Sequence, residues 1–243
     1  MILSILQARL SSTRLPEKVL KPVLGEPMIV RQIERIRRST LIDTLVVATS
    51  IDASDDPLVA ELQGRGIEVR RGPLDDVVSR FGGVVSEFAP STIVRLTADC
   101  PLTDAAVIDR VIESHLASSS DYSSNTLYPT YPDGLDVECM TSSAFCRLVQ
   151  LPLTDREREH VTLGIYGRPL EFSLNSVAQT VDRSALRWTV DVPDDLDFVR
   201  SVYARLYDEN NGFDQAAILE LLARQPDLNR TEFDLARNAG LRQ

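Results

Sequence analysis

The sequence predicts an α/β protein built on a mostly parallel, Rossmann-like sheet, and three observations predict it. Short apolar runs alternate with longer segments whose apolar residues recur at helical spacing, the pattern of successive βαβ units. The 243 residues, 43% of them hydrophobic, suit one large α/β domain or a domain with a small appendage. The first apolar run opens at once into a loop carrying three cations and three hydroxyls, Arg9, Ser11, Ser12, Thr13, Arg14 and Lys18. In open α/β sheets, ligands bind beyond the carboxyl ends of central strands, where such a loop would lie.

The elements follow in order. Residues 2–6 are short, apolar and ended by polar residues, which predicts a buried strand. Residues 23–27 read as a turn. A helix is predicted over 28–39, with Ile29, Ile33 and Ile36 on one face. Its arginines Arg31, Arg35, Arg37 and Arg38 belong on the surface by this reading, since no aromatic residues or second basic element accompany them. A second strand over 45–48 leads to a helix opened by Asp55, Asp56 and Pro57, acidic where the helix dipole favours it and ended by Gly64 and Gly66. A third strand spans 67–70. A helix then presents Val77, Val78, Phe81, Val84 and Val85 inward, and a fourth strand spans 92–96.

A helix from 104 to 115 carries the stripe Val107, Ile108, Val111 and Ile112. Between 118 and 136 the pattern is irregular, rich in Tyr, Pro and Gly. Residues 136–140 alternate like a strand, 154–160 are almost wholly charged, and 172–174 and 186–192 read as further strands. Pro193, Asp194 and Asp195 open a helix carrying Leu196, Val199, Val202, Tyr203 and Leu206. A last helix over 214–223 leads to a polar tail, expected at the surface or partly disordered.

The net charge of −10 argues against a nucleic-acid surface or a membrane-binding patch. Against this acidic background the basic loop stands out as an anion pocket would. No apolar run approaches the roughly 20 residues of a membrane span. Cys100, Cys139 and Cys146 show no CxxC spacing; with no signal peptide they point to buried, inert thiols in a reducing cytoplasm.

Arginine forks and a lysine ammonium suit phosphate oxygens, hydroxyls can complete the shell, and Pro16 stiffens the loop. Composition alone leaves a polyphosphate site and a solvated basic loop side by side. The order of residues goes further. Gln7-Ala8-Arg9-Leu10-Ser11-Ser12-Thr13-Arg14-Leu15-Pro16-Glu17-Lys18 resembles the N-terminal motif of the cytidylyltransferases that activate acidic sugars, and is most similar to the spore coat polysaccharide biosynthesis protein F group. Ser11 and Glu17 stand where that motif usually has Gly. Thr97-Ala98-Asp99-Cys100-Pro101 and Trp188-Thr189-Val190-Asp191-Val192-Pro193-Asp194-Asp195-Leu196 resemble the family's two aspartate motifs, with Ala98 in place of the usual Gly. Uridylyl, guanylyl and thymidylyl transferases of similar architecture usually begin with a glycine-richer loop.

The resemblance covers about residues 2–205. It implies a three-layer nucleotidyltransferase fold over 1–225 with a smaller lobe for acceptor binding and dimerisation at 120–180, and a tail at 226–243. It implies transfer of CMP from CTP to an acidic or modified sugar, with release of pyrophosphate, by a homodimer using Mg²⁺. It implies that Asp99 and Asp191 hold the metal, and that Arg9, Arg14 and Lys18 bind the triphosphate. Gln7, Ala8, Ser12, Thr49, Arg71, Gly72 and Thr97 match nucleotide positions. Arg95, Asp133, Asp136, Glu138, Arg158 and His160 match acceptor positions. Read singly, Asp99 is sooner a turn or helix cap before Pro101, Arg95 almost as readily a strand arginine paired with an acid, and His160 a solvated helix end. No general base is named, because the metal alone can activate a hydroxyl. Another alcohol or a phosphonate as acceptor, another nucleotide, and a non-catalytic nucleotide-binding relative are the other readings.

Overall fold

β1 (Ile2–Gln7) is apolar on both faces, with Leu3 and Ile5 buried on one and Leu6 on the other, so it belongs inside a sheet covered on both sides. In the computed structural model, which describes residues 1–230, it does so. β1 pairs in parallel with β4 (Thr44–Ser50) on one side and β6 (Thr92–Thr97) on the other. β5 (Val69–Gly72) extends the sheet beyond β4. β8 (Glu138–Thr141) runs antiparallel to β6, β7 (Tyr122–Ser124) runs antiparallel to β8, and β9 (Leu174–Ser176) lies parallel beside β7. The seven-stranded order is β5-β4-β1-β6-β8-β7-β9. The predicted turn at 23–27 is a hairpin of β2 (Pro22–Val23) and β3 (Glu26–Pro27) outside this sheet.

Helices cover both faces. On one face α1 (Met28–Ile36), α2 (Asp56–Gly64), α4 (Ala105–Ser118), α8 (Pro193–Leu206) and α9 (Gln215–Arg224) share a core with Leu6, Val47 and Val94. On the other, α3 (Val77–Phe88), α5 (Ser142–Val149) and α7 (Leu163–Tyr166) pack on Leu3, Ile5, Val46 and Ile93. The period-2 alternation of the strands sends each residue to its layer. The short α6 (Asp155–Glu159) lies beside α3 and starts with a capping box between Thr154 and Glu157. The chain winds outward from β1 to β4 and β5, then crosses back to β6. The strand order therefore switches between β1 and β6, and the carboxyl ends of those two strands form a crevice.

Several expectations are corrected. Arg31 and Arg35 are buried, not on the surface. The Arg35 guanidinium donates to the carbonyls of Thr103 and Phe213, each at 2.7 Å, and lies 4.1 Å over the Phe213 ring. Arg31 donates to the Val23 carbonyl and the Tyr207 hydroxyl. Carbonyl oxygens at loop ends substitute for water, so a charge pattern that reads as solvated is an internal clamp instead. Arg35→Ala is expected to cost about 2–3 kcal/mol by stranding those carbonyls, read as a lower denaturation midpoint; an unchanged midpoint would contradict the clamp.

Among the described residues the predicted strand at 186–192 forms no ladder; Arg187 makes an isolated bridge to Asp133. The segment's alternation instead reflects Trp188 and Val190, both buried in the core that the helices of the first face share. The predicted strand at 172–174 is shifted to β9, with Phe172 in the core, and the irregular stretch after 118 contains β7. Within 120–180, β7, β8 and β9 continue the central sheet, and Phe145, Ile165 and Phe172 pack into the same core as α3. Cys146 is exposed, whereas Cys100 and Cys139 are buried. The tail does more than cover surface: Arg230 accepts a hydrogen bond from the Arg187 amide and pairs with Asp195. The rest of the expected tail, 231–243, lies outside the described residues.

Candidate active site

Gln7 and Thr97 end β1 and β6 in register and open onto a cleft of about 710 Å³. The loop after β1 is anchored by Ala8, Leu10 and Leu15, all buried. The Leu10 amide donates to Asp55 Oδ1 at 2.7 Å, and the Leu10 carbonyl accepts from the amides of Ser12 and Glu17. Asp55 is fully buried and also accepts from the Thr49 hydroxyl and the Ser50 amide. An aspartate that reads as a helix cap thus ties the loop to β4. Glu17 has a φ of 57°, in the left-handed region where glycine is favoured, and it is exposed outside the cleft lining.

At the cleft floor Lys18 Nζ lies between two carboxylates, 3.5 Å from Asp99 Oδ2 and 3.1 Å from Asp191 Oδ1, and donates to the Val190 carbonyl at 2.7 Å. Asp191 also receives Arg14 at 2.9 Å and Arg187 at 2.9 Å. Asp99 accepts from the Thr97 hydroxyl at 2.6 Å. Arg187, nearly fully buried, reaches Asp133, Asp191 and Asp195 together. Asp195 in turn accepts from the amides of Asp191 and Val192, which fixes the backbone that carries Asp191. The segment before it is threaded by hydrogen bonds from Trp188 to Asp133 and from Val190 to Asp99.

Burial alone would lower the Lys18 pKa, but Asp99 and Asp191 outweigh it and hold it above the ordinary value. Burial would raise Asp99 and Asp191, but Lys18 outweighs this in both, helped by Thr97 at Asp99 and by Arg187 and Arg14 at Asp191. Both carboxylates therefore lie below the ordinary value of about 3.9. Their contribution to stability is complete above that pH and is lost as pH falls through the depressed folded-state values. The fold is expected to persist from neutrality down to about pH 4 and to fail below it; an acid titration by circular dichroism with a midpoint near pH 6 would contradict this.

The cleft wall opposite the loop is built by β6, β8 and the segment around α6. Arg95 pairs there with Glu138 and donates to Gln7 Oε1 at 3.0 Å, while Glu138 also accepts from Tyr122 at 2.6 Å. Burial, then the cations Arg95, Arg156 and Arg9, lowers the His160 pKa against the pull of Glu159, so its imidazole is neutral at pH 7.

Gln7, Ala8, Arg9, Ser12, Arg14, Lys18, Arg95, Thr97, Asp99, Asp133, Asp136, Glu138, His160 and Asp191 all line this cleft. Thr49, Arg71, Gly72 and Arg158 do not. Thr49 supports Asp55, and Arg71 staples the loop after β4 through the carbonyls of Ser50 and Asp52. A Cβ at Gly72 would lie 2.8 Å from Arg80 Cα, so that glycine serves the packing of α3. Arg158 pairs with Asp76. Sequence reasoning missed Arg187, Thr189 and Glu159 as lining residues; for Arg187 the signal was its spacing of four and eight from Asp191 and Asp195. Two carboxylates with hard oxygen donors fit a cation such as Mg²⁺ that completes its shell with phosphate and water. Among the described residues no group of three or more His, Cys, Asp or Glu makes a closed cage.

A family model described as cytidylyltransferase matches residues 3–220. The chain is 32% identical over 233 residues to the spore coat polysaccharide biosynthesis protein SpsF of Bacillus subtilis, covering 93% of this chain and 95% of that protein. It is 34% identical over 113 residues to a 3-deoxy-manno-octulosonate cytidylyltransferase of Geobacter sulfurreducens, covering 46% and 44% of the two chains. Among solved structures, a cytidylyltransferase from Leptospira borgpetersenii superposes with a TM-score of 0.89 at 25% identity, over 98% of this chain and 99% of that one. The chain belongs to the cytidylyltransferase family and is thereby a nucleotidyltransferase.

Proposed function

We propose that this protein transfers CMP from CTP to a hydroxyl of an acidic or otherwise modified sugar, releasing pyrophosphate, for the synthesis of a surface polysaccharide or glycoconjugate. The observation that carries the reading is Lys18 held between Asp99 and Asp191 in the same cleft as Arg9 and Arg14. Arg9, Arg14 and Lys18 would bind the triphosphate, exchanging their carboxylate partners for phosphate oxygens. Asp99 and Asp191 would hold a divalent cation, which when bound supplies charge neutralisation at the reacting phosphate. Gln7 and Thr97, at the strand ends, would orient the nucleotide so that the acceptor hydroxyl meets the α-phosphate in line. The names of the relatives, spore coat polysaccharide biosynthesis and 3-deoxy-manno-octulosonate cytidylyl transfer, support a sugar acceptor. We read the chain as a cytoplasmic homodimer, with the exposed Tyr128 and Leu170 in the contact. No helix among the described residues is long and apolar enough to cross a membrane.

Thermal shift with CTP, UTP, ATP and GTP, each with Mg²⁺, tests the reading. A ligand at about 100 times its dissociation constant adds about 2.7 kcal/mol of stability. Selective stabilisation by CTP is expected, and equal shifts by all four would overturn the choice of nucleotide. Lys18→Ala is expected to weaken CTP binding about tenfold to a hundredfold, the loss of one charge-assisted contact; an unchanged affinity would remove Lys18 from the phosphate site.

A further inference from the structure

Asp99 and Asp191 are tied to each other as well as to the cleft. The Asp99 carbonyl accepts from the Val190 amide at 2.8 Å and from the Thr189 hydroxyl at 3.1 Å. The amides of Asp191 and Val192 are held in turn by the buried Asp195. Backbone contacts, which no rotamer change can undo, therefore set how far apart the two carboxylates stand.

Within each carboxylate the two oxygens have different partners. At Asp99, Oδ1 accepts from the Thr97 hydroxyl at 2.6 Å and from the Cys100 thiol at 3.4 Å, while Oδ2 meets Lys18. At Asp191, Oδ2 accepts from Arg187 at 2.9 Å, while Oδ1 meets Lys18 and Arg14. The donors to Asp99 Oδ1 and Asp191 Oδ2 belong to the frame of the site. Thr97 ends β6, and the Arg187 side chain is 5% exposed and shared with Asp133 and Asp195. Lys18 and Arg14, on the other two oxygens, are the groups that the CTP reading moves to phosphate. What they would leave is one oxygen from each carboxylate, both directed at the point where Lys18 Nζ lies.

Resting on the CTP reading and its divalent cation, we propose that Thr97 and Arg187 are positioning residues that decide which cation the site accepts. By engaging Asp99 Oδ1 and Asp191 Oδ2, they leave each carboxylate a single oxygen to offer. Mg²⁺ is bound through one or two carboxylates in a near-ideal octahedron at about 2.0–2.1 Å, completed by phosphate and water. Ca²⁺ takes about six to eight oxygens at about 2.3–2.6 Å, and carboxylates can give it both of theirs. A pair that withholds its second oxygens, at a spacing set by backbone, suits the smaller ion and underfills the shell of the larger. Groups that orient a ligating carboxylate are worth about 10–100-fold in metal affinity.

The test reads binding and leaves turnover aside. Calorimetry follows a non-cleavable α,β-methylene analogue of CTP titrated into the full chain in Mg²⁺ or in Ca²⁺, each ion in excess so that every nucleotide carries metal. The wild type is expected to bind the analogue at least about tenfold tighter with Mg²⁺ than with Ca²⁺. Arg187 lies buried among three carboxylates, so its replacement endangers the fold, and the variant chosen is Thr97→Val. It keeps the side-chain shape and removes the hydroxyl, so that Asp99 can turn and offer both oxygens. The Mg²⁺ advantage is expected to shrink by at least about fivefold, and Thr97→Ser is expected to restore it. A hydroxyl that served only the fold or the nucleotide would weaken both arms alike and leave the ratio where it was. An unchanged ratio in Thr97→Val, or a wild type indifferent to the ion, overturns the proposal. Thr97→Ala is measured beside it and carries the same test if the valine variant does not fold. Failure of the analogue to bind with either ion takes down the CTP reading itself, whereas equal binding with both sinks only the selectivity.

Discussion

Asp191→Asn is expected to reduce nucleotidyl transfer by at least about 10²–10³-fold, the loss seen when one preorganised charge-stabilising group is removed from an active site. The side chain keeps its volume but loses the charge on which Lys18, Arg14 and Arg187 converge. Three cations are then left without their common partner, so stability should fall as well, by about 1–3 kcal/mol for a group that is partly exposed. Arg187 still has Asp133 and Asp195, and the amides of Asp191 and Val192 still donate to Asp195, so the backbone around the site should remain in place. A steady-state assay of pyrophosphate release, paired with a melting curve, separates the two effects. A folded variant with near-normal turnover would remove Asp191 from the reaction.

Gly134→Ala is expected to produce the largest loss of stability from a single methyl group. Gly134 has a φ of +111°, and a Cβ built there lies 2.6 Å from both the amide nitrogen of Thr189 and the carbonyl carbon of Trp188. These atoms are backbone, in the segment threaded toward Asp191, and cannot swing aside as a side chain would. Backbone strain of about 1–3 kcal/mol and overpacking of about 1–3 kcal/mol add on the same side. The expected result is a drop in the denaturation midpoint worth several kcal/mol, together with lost activity as the 188–191 segment is pushed off the cleft. A variant that melts like the wild type would show that the turn relaxes at little cost.

The sequence revealed the parts of this molecule whose signals are local. β1, β4 and β6 are apolar runs of strand length, and the helices between them carry clear stripes, so the parallel half of the sheet was readable in order. The crevice was readable too, because Lys18, Asp99 and Asp191 each sit just past a predicted strand or in a distinctive motif. Non-local features were hidden. A three-residue strand such as β7 or β9 has no room for an alternation to register. Residues 186–192 alternate because Trp188 and Val190 reach into the core, while among the described residues no strand ladder runs beside them. Arg31 and Arg35 read as solvated because their carbonyl partners are supplied from 7 to 178 residues away. Asp55 reads as a helix cap because nothing local announces that Leu10 will donate to it.

The central position of β1 also dictates how the protein comes into being. This strand leaves the ribosome before either of its neighbours: one of its edges waits for β4, which begins at residue 44, and the other for β6, which begins at residue 92. At roughly 5–20 residues per second, a bare apolar strand persists for on the order of several seconds in every nascent chain. The Lys18–Asp191 pair, 173 residues apart, closes later still. Synthesis halted between β4 and β6 would release a fragment with an open sheet edge, the kind of surface that recruits chaperones or aggregates. The same arrangement that puts the anion loop at the heart of the sheet makes the newborn polypeptide dependent on uninterrupted translation.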